Sequence, residues 1–218
     1  MKIIDKILDF AFPQVCVCCK RILPHNTTVP FCSDCFKVLP TYKLNEAKPL
    51  GNIHVERCYC LYKYKRYDVK GIIFHAKSIF SKLFGKFIAR EMKEKLKKHN
   101  LLNRIDVITY APRKKLSVRK YGFDQGKELA KFLSKETSIP YDDLILRKGK
   151  ASEQKFLSSA EREQNVKNLY HFNKIKNINQ KTVLIVDDVI TTGSTVSTCA
   201  KILKENGAKL VFALSIAD

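Results

Sequence analysis

The chain of 218 residues lacks any uninterrupted apolar run of the roughly 18 residues that a membrane helix requires, although 45% of it is hydrophobic. No membrane span is expected. The amino-terminal stretch MKIIDKILDFAF also lacks the unbroken apolar core of a secretory signal, because Asp5 and Asp9 interrupt Ile3, Ile4, Ile7, Leu8 and Phe12. A short, retained amphipathic helix and a cytoplasmic protein are the expectation. Internal repeats and low-complexity tracts are absent. There is no G-x-x-x-x-G-K-[ST] phosphate loop, since GFDQGKE has neither the spacing nor the hydroxyl, and a P-loop nucleotidase is excluded. Acidic side chains are scarce, 21 against 41 Lys and Arg, for a net charge of +20. Such a field attracts polyanions. Residues 61–100 carry 12 basic and 3 acidic side chains, and residues 101–135 carry 9 and 3. A solvated surface would show the same surplus, so the charge alone names no partner.

The length suits one α/β domain with about 40 to 60 residues to spare for an appended module. Cysteine is plentiful, with eight residues. A reducing compartment disfavours a disulfide framework, which leaves metal binding or burial to account for them. Cys16 and Cys19, twelve intervening residues, then Cys32 and Cys35 form two C-x2-C pairs. Two such knuckles place four thiolates around one Zn²⁺ at about 2.3 Å, and with no open coordination position the zinc would be structural. Cys18 is an alternative to Cys16 or Cys19, but the C-x2-C geometry favours the outer two. Cys58, Cys60 and Cys199 read as core filler. Residues 1–45 are expected to hold the helix and zinc module and residues 46–218 the main domain, with the polar TYKLNEAKPLGN between them as a linker.

From IHVERCYCLYKY onward the pattern alternates. That stretch predicts a strand, and apolar residues at three-to-four spacing predict one long helix from about Val69 to Lys98. Lys82, Lys86, Lys93 and Lys97 share its opposite face, with Arg90 at the border. IDVITYA reads as a buried strand, DQGKELAKFLSKE as a helix, DLILRK as a strand, and SAEREQNVK as a short helix begun by a Ser158–Glu161 capping box. KTVLIVDD predicts a strand, STVSTCAKILKEN a helix closed by Gly207, and KLVFALSIA a last strand. Alternation of this kind implies right-handed βαβ units and a mostly parallel sheet with helices on both faces.

VLIVDDVITTGST, residues 183–195, carries the most specific chemistry. Val183 to Val186 form a wholly apolar strand, so Asp187 and Asp188 emerge at its carboxyl end, where ligands sit in open α/β sheets. Gly193 permits a turn with positive φ, and Ser194 or Thr195 starts a helix whose free N–H groups favour an anion. Hydroxyls of Thr191, Thr192, Ser194 and Thr195 add donors. A phosphate in the turn beside a diol on the two acids, as in a ribose 5-phosphate, satisfies this arrangement.

These thirteen positions resemble the phosphoribosyl-pyrophosphate motif of type I phosphoribosyltransferases. The resemblance implies that Asp187 and Asp188 hold the ribose hydroxyls and that Thr191, Thr192, Gly193, Ser194 and Thr195 hold the 5-phosphate. It also implies a pyrophosphate loop at YAPRKK, with Arg113, Lys114 and Lys115 as cations. Together with the four-cysteine module the layout resembles the ComF family of competence proteins. RKYGFDQGKELA and the spaced Arg147, Gln154, Leu157, Arg162, Asn165 and Val166 agree with it. Tyr121 stands where the family has Arg and Asp124 where it has Asn; Arg119 and Lys120 can compensate. What the family implies is a phosphoribosyltransferase-like protein that handles single-stranded DNA as it enters the cytoplasm, in contact with DNA-uptake proteins. Lys82, Lys86, Arg90, Lys93, Lys97, Arg119 and Lys120 are the candidate DNA cations, interleaved with Tyr59, Tyr62, Tyr64, Tyr67 and Tyr121 for stacking. Strand packing is the other reading of the tyrosines. The alternative function is an active transferase that moves ribose 5-phosphate to a nitrogen nucleophile, with Mg²⁺ on the pyrophosphate.

Overall fold

The computed structural model describes residues 13–39, 43–47, 50, 54–64, 67–78, 80–147 and 169–218. The amino-terminal helix, the helix expected around residues 158–166, and Gln154, Leu157, Arg162, Asn165 and Val166 lie outside the described residues. In chain order the elements are α1 (Ser33–Val38), β1 (Arg57–Tyr62), α2 (Tyr67–Ser78), α3 (Lys82–Lys98), β2 (Val107–Tyr110), α4 (Lys115–Tyr121), α5 (Gln125–Thr137), β3 (Ile145–Arg147), β4 (Tyr170–Phe172), β5 (Thr182–Val189), α6 (Ser194–Glu205) and β6 (Leu210–Ala217). Among the described residues no helix is long and apolar enough to cross a membrane.

Four strands pair in the order β1-β6-β5-β2, all parallel. The pleat divides β5 between two cores. Leu184 and Val186 pack with α3 and α5 on one face, while Val183 and Ile185 pack with α6 and the β3–β4 pair on the other. Burial on both faces explains the unbroken apolar run of this strand. Each sheet edge is capped by a short stretch of chain: Leu44 N–H donates to Leu61 O at 2.9 Å beside β1, and Ile108 bridges to Tyr141 beside β2. Cys58, Cys60 and Cys199 are buried, as core filler should be. The cysteine module shares a core with the sheet: Val17, Leu23 and Phe31 belong to the same cluster as Ile72, Phe84 and Leu214, and Phe31 meets Phe87 of α3 edge-on at 5.0 Å.

The structure corrects three expectations. The long helix from Val69 to Lys98 is two helices, because Phe80 adopts a left-handed φ of 45° and the Ser81 side chain caps a fresh helix by accepting from Phe84 N–H at 3.3 Å. The apolar spacing runs through the break, so periodicity conceals it. The strand in DLILRK does not join the main sheet. β3 pairs antiparallel with β4, with Ile145 buried and Leu146 exposed, the one-sided pattern of an antiparallel ladder. The stacking tyrosines divide as well: Tyr59 and Tyr62 are core residues, 4% and 0% exposed, while Tyr64 and Tyr121 keep partial access.

Candidate functional site

The helices that follow β2 and β5 leave in opposite directions. α5 covers the face of Leu184 and Val186, and α6 covers the face of Val183 and Ile185. Their loops therefore diverge at the carboxyl edge and open a crevice between two neighbouring strands, the position where open α/β sheets bind ligands. Gly126 brings the start of α5 close to this edge, since an added Cβ would lie 3.4 Å from Tyr110 and from Val186 O.

Both expected acids stand at the carboxyl end of β5, and pleating splits them. Asp188 continues the row of Leu184 and Val186 and pairs with Arg113 Nη2, from the loop after β2. Asp187 continues the opposite row, toward Tyr170 and Cys199. The carboxylates curl back along the chain: Asp187 Oδ1 accepts from Asp188 N–H at 2.8 Å, and Asp188 Oδ1 from Val189 N–H at 2.9 Å. Burial, and then the neighbouring charge of Asp188, push the Asp187 carboxyl far above the usual range, with Arg113 opposing. Asp187 therefore holds a proton more readily than a solvated acid. Burial likewise raises Cys199, helped by the Asp187 charge.

The turn after β5 has the expected shape. Gly193 sits at φ 75° and precedes the first residue of α6, and an added Cβ would lie 2.9 Å from Leu50. Thr191, Thr192 and Ser194 are exposed and Thr195 half-buried, with the Thr192 and Ser194 hydroxyls 3.1 Å apart. The amides of Thr195 and Val196 open α6 without intrahelical acceptors, which leaves donors and the helix dipole for an anion.

Arg113 is the cation of the basic loop that reaches the acids; Lys114 and Lys115 are exposed where α4 begins. Asp124 fastens the loop. Its Oδ2 accepts from Arg113 N–H at 2.9 Å, and its Oδ1 caps α5 through Lys127 N–H at 3.4 Å. Burial raises the Asp124 carboxyl, opposed by these amide donors. A cavity of about 400 Å³ adjoins the loop, lined among others by Tyr110, Arg113, Asp124, Lys127 and Arg147. Lys127 is a residue that sequence reasoning missed. It pairs with Asp143 at 2.9 Å from inside a helix pattern that carried no signal of its place. Arg147 also lines the cavity and lies over the Tyr170 ring at 4.9 Å.

Lys82, Lys86, Arg90 and Lys97 are exposed along α3, but Lys93 turns to α5 and donates to Glu136 O at 2.9 Å. Arg119 is exposed at the end of α4, and Lys120 lies over the Tyr121 ring at 5.4 Å.

The four expected metal ligands converge. The sulfurs of Cys16, Cys19, Cys32 and Cys35 lie within 4.8 Å of one another, and Cys19 and Cys32 are 3.7 Å apart. A tetrahedral ion with bonds of about 2.3 Å separates its sulfurs by about 3.8 Å, so the cluster can hold a metal. Burial raises the Cys16 thiol, but backbone N–H groups of Cys19, Cys32 and Cys18 outweigh it and bring it down to about 7. Those amides stabilise the thiolate that a metal requires. Cys35 is raised, by burial and by its cysteine neighbours. Cys18 lies outside the group of four.

Residues 118–218 match the family model of the phosphoribosyl transferase domain. The chain is 36% identical over 91 residues to DNA utilization protein YhgH of Escherichia coli K12, across 41% of this chain and 39% of that protein. It is 37% identical over 90 residues to Competence protein F of Haemophilus influenzae, across 40% and 39%. The match spans about two fifths of the length of these curated relatives. Among solved structures, the glutamine phosphoribosylpyrophosphate amidotransferase from B. subtilis is 26% identical, with a TM-score of 0.41 over 60% of this chain and 24% of that one.

Proposed function

We propose that the chain is a phosphoribosyltransferase-like protein of the ComF family and that it acts in competence, a reading that its relatives and its matched domain support. In this reading it binds single-stranded DNA and phosphoribosyl pyrophosphate in the cytoplasm. One observation carries the ligand assignment: Arg113 from the basic loop contacts Asp188 of the acid pair across the crevice. Two stretches 75 residues apart thus form one site with cations on one side and carboxylates on the other.

Asp187 and Asp188 would hold the ribose hydroxyls. Thr191, Thr192, Gly193, Ser194 and Thr195 would receive the 5-phosphate at the start of α6, where amide donors and hydroxyls converge. Arg113, Lys114 and Lys115 would face the pyrophosphate, which Mg²⁺ accompanies and partly neutralises. Arg113 would exchange its carboxylate for pyrophosphate oxygens and release Asp188 to the sugar. Zn²⁺ is the ion that four cysteine sulfurs suit best, and it would hold the module against α3. Lys82, Lys86, Arg90, Lys97, Arg119 and Lys120 would contact DNA phosphates, and the charge of +20 favours such a partner. Lys93 would contribute its charge while tethered to α5. DNA-uptake proteins are the partners implied by this role.

Titration calorimetry with phosphoribosyl pyrophosphate and Mg²⁺ tests the assignment. The Asp187→Asn/Asp188→Asn protein should keep its fold by circular dichroism and lose measurable binding; undiminished affinity refutes the site. Transferase activity is the second reading, favoured by the cavity of about 400 Å³ beside Arg113, which has room for an acceptor. Pyrophosphate release on addition of single-stranded DNA or free bases would establish it.

A further inference from the structure

A second cavity, of about 630 Å³, opens at the other end of the sheet. Its lining comes from the amino ends of β1 and β6 and from the segment after α3. Arg57, Tyr59, His99, Leu101, Arg104 and Phe212 surround it, with Glu46 and Glu56 at the rim. Leu210, also in the lining, pairs with Thr182, whereas Asp187 pairs with Ser215, five residues further along. The two ends are thus about 17 Å apart along the strand. The size is that of an ordinary small-molecule site.

Its chemistry is an apolar floor under cations. Tyr59, Leu101 and Phe212 are nearly buried and form the base. Arg57 and Arg104 are exposed, and neither is in an ion pair among the described residues. The Arg104 guanidinium lies over the Phe212 ring at 5.7 Å, which holds it at the cavity by a cation–π contact while it remains open to solvent. Both arginines are close enough to the Tyr59 hydroxyl to oppose the rise that burial gives it. Glu56 is engaged by Lys204 at 2.9 Å, so its charge is largely answered outside the cavity. The His99 ring lies tilted against that of Tyr59, with centroids 4.6 Å apart. One of its nitrogens bonds to the Asn45 backbone, and Nε2 is buried with no partner among the described residues. Burial and the nearby Lys95 lower the His99 pKa, so at neutral pH that nitrogen is an acceptor.

We propose that this cavity binds a nucleotide, with the base stacked on the Arg104 guanidinium and the phosphate held between Arg57 and Arg104. Planar stacking and fork-like phosphate binding are the two things guanidinium does and ammonium does not. The cavity also terminates a cationic track. Lys82, Lys86, Arg90 and Lys97 are exposed along α3, about 25 Å long, and His99 and Arg104 follow directly after it. A single strand laid along α3 would deliver a nucleotide to this cavity; a free nucleotide offers the same base and phosphate. The strand form rests on the DNA reading above, and the free form does not.

The full chain with its metal bound serves for the test. Binding of a mixed-sequence oligodeoxynucleotide is followed by fluorescence anisotropy across about 50 to 200 mM salt. Binding of dAMP is followed by saturation-transfer NMR. Arg57→Ala/Arg104→Ala should weaken the oligonucleotide about tenfold, lower the salt slope by about 0.7 for the one phosphate lost, and abolish the dAMP signal. Arg57→Lys/Arg104→Lys should keep most of the salt slope and still lose dAMP, because lysine cannot stack. Loss of dAMP with the oligonucleotide unaffected assigns the cavity to a free nucleotide; loss of oligonucleotide affinity in a protein that ignores dAMP assigns it to the strand. If both arms are unchanged in the alanine protein, the proposal is overturned. Lys86→Ala/Arg90→Ala keeps the two readings apart: if it weakens the oligonucleotide while the cavity variant does not, the cavity loses its strand role and the DNA reading survives. A parent protein that binds no oligonucleotide sinks the DNA reading and leaves dAMP to judge the cavity.

Discussion

Replacing Arg113 by alanine tests the contact on which the ligand assignment turns. The Asp188 side chain is 5% exposed and that of Arg113 20%, so the substitution strands a carboxylate in a site with little water. Breaking a fully buried pair costs about 3–5 kcal/mol. Two features reduce that here. Asp188 keeps its bond from Val189 N–H, and the vacated arginine volume opens toward solvent. About 2 kcal/mol is therefore expected, within the range for one charged group losing its partner. In an Asp188→Asn background the same substitution removes no charge pair and should cost less than about 1 kcal/mol, a coupling of at least about 1 kcal/mol. Urea unfolding of the metal-loaded protein, followed by circular dichroism, measures all four corners of the cycle. Arg113→Ala should also weaken phosphoribosyl pyrophosphate by about 10- to 100-fold, the worth of one or two charge-assisted hydrogen bonds. Equal costs in both backgrounds, or an unchanged affinity, would show that Arg113 neither senses the acid nor serves the ligand.

Further outcomes follow from local geometry. Gly193→Ala should destabilise the chain by about 1–2 kcal/mol and weaken phosphoribosyl pyrophosphate, since alanine at φ 75° is strained and its methyl would meet Leu50; thermal unfolding and calorimetry check both. About one Zn²⁺ per chain should copurify by elemental analysis, and Cys32→Ser should lose it. The amides that hold Cys16 down to about 7 favour its thiolate above that pH, so lowering the pH from about 7 to 5 should release the metal as thiolates protonate. A metal-free yet fully folded protein at neutral pH would discard the module.

Much of the site was legible in the sequence because it is local. Asp187 through Thr195 run consecutively from a strand into a turn and a helix, and each step has its own rule: an apolar run, acids at the carboxyl end, a glycine for positive φ, hydroxyls at a helix start. The two C-x2-C pairs are likewise local, since each knuckle fixes its own two sulfurs. Alternating strands and helices sufficed for a parallel sheet. Periodicity could not locate the break at Phe80, because apolar spacing continues through it and one hydroxyl, that of Ser81, decides where a helix begins again. Nor could alternation show whether β3 joins the sheet, which depends on what lies beside it.

What only the tertiary structure decided is which distant residues meet. Sequence placed Arg113 in a basic loop and Asp188 in a motif; the neighbouring positions of β2 and β5, with helices leaving on opposite faces, bring them into contact. Lys93 belonged to a cationic stripe by helical phase, and α5 claims it. Tyr59 and Tyr62 fitted a stacking surface until β1 proved to be covered on both faces. Arg57, His99, Arg104 and Phe212 share one cavity from three places in the chain. Helical phase and pleat act over a few residues, whereas strand order and the face each helix takes are set by burying both sides of the sheet at once.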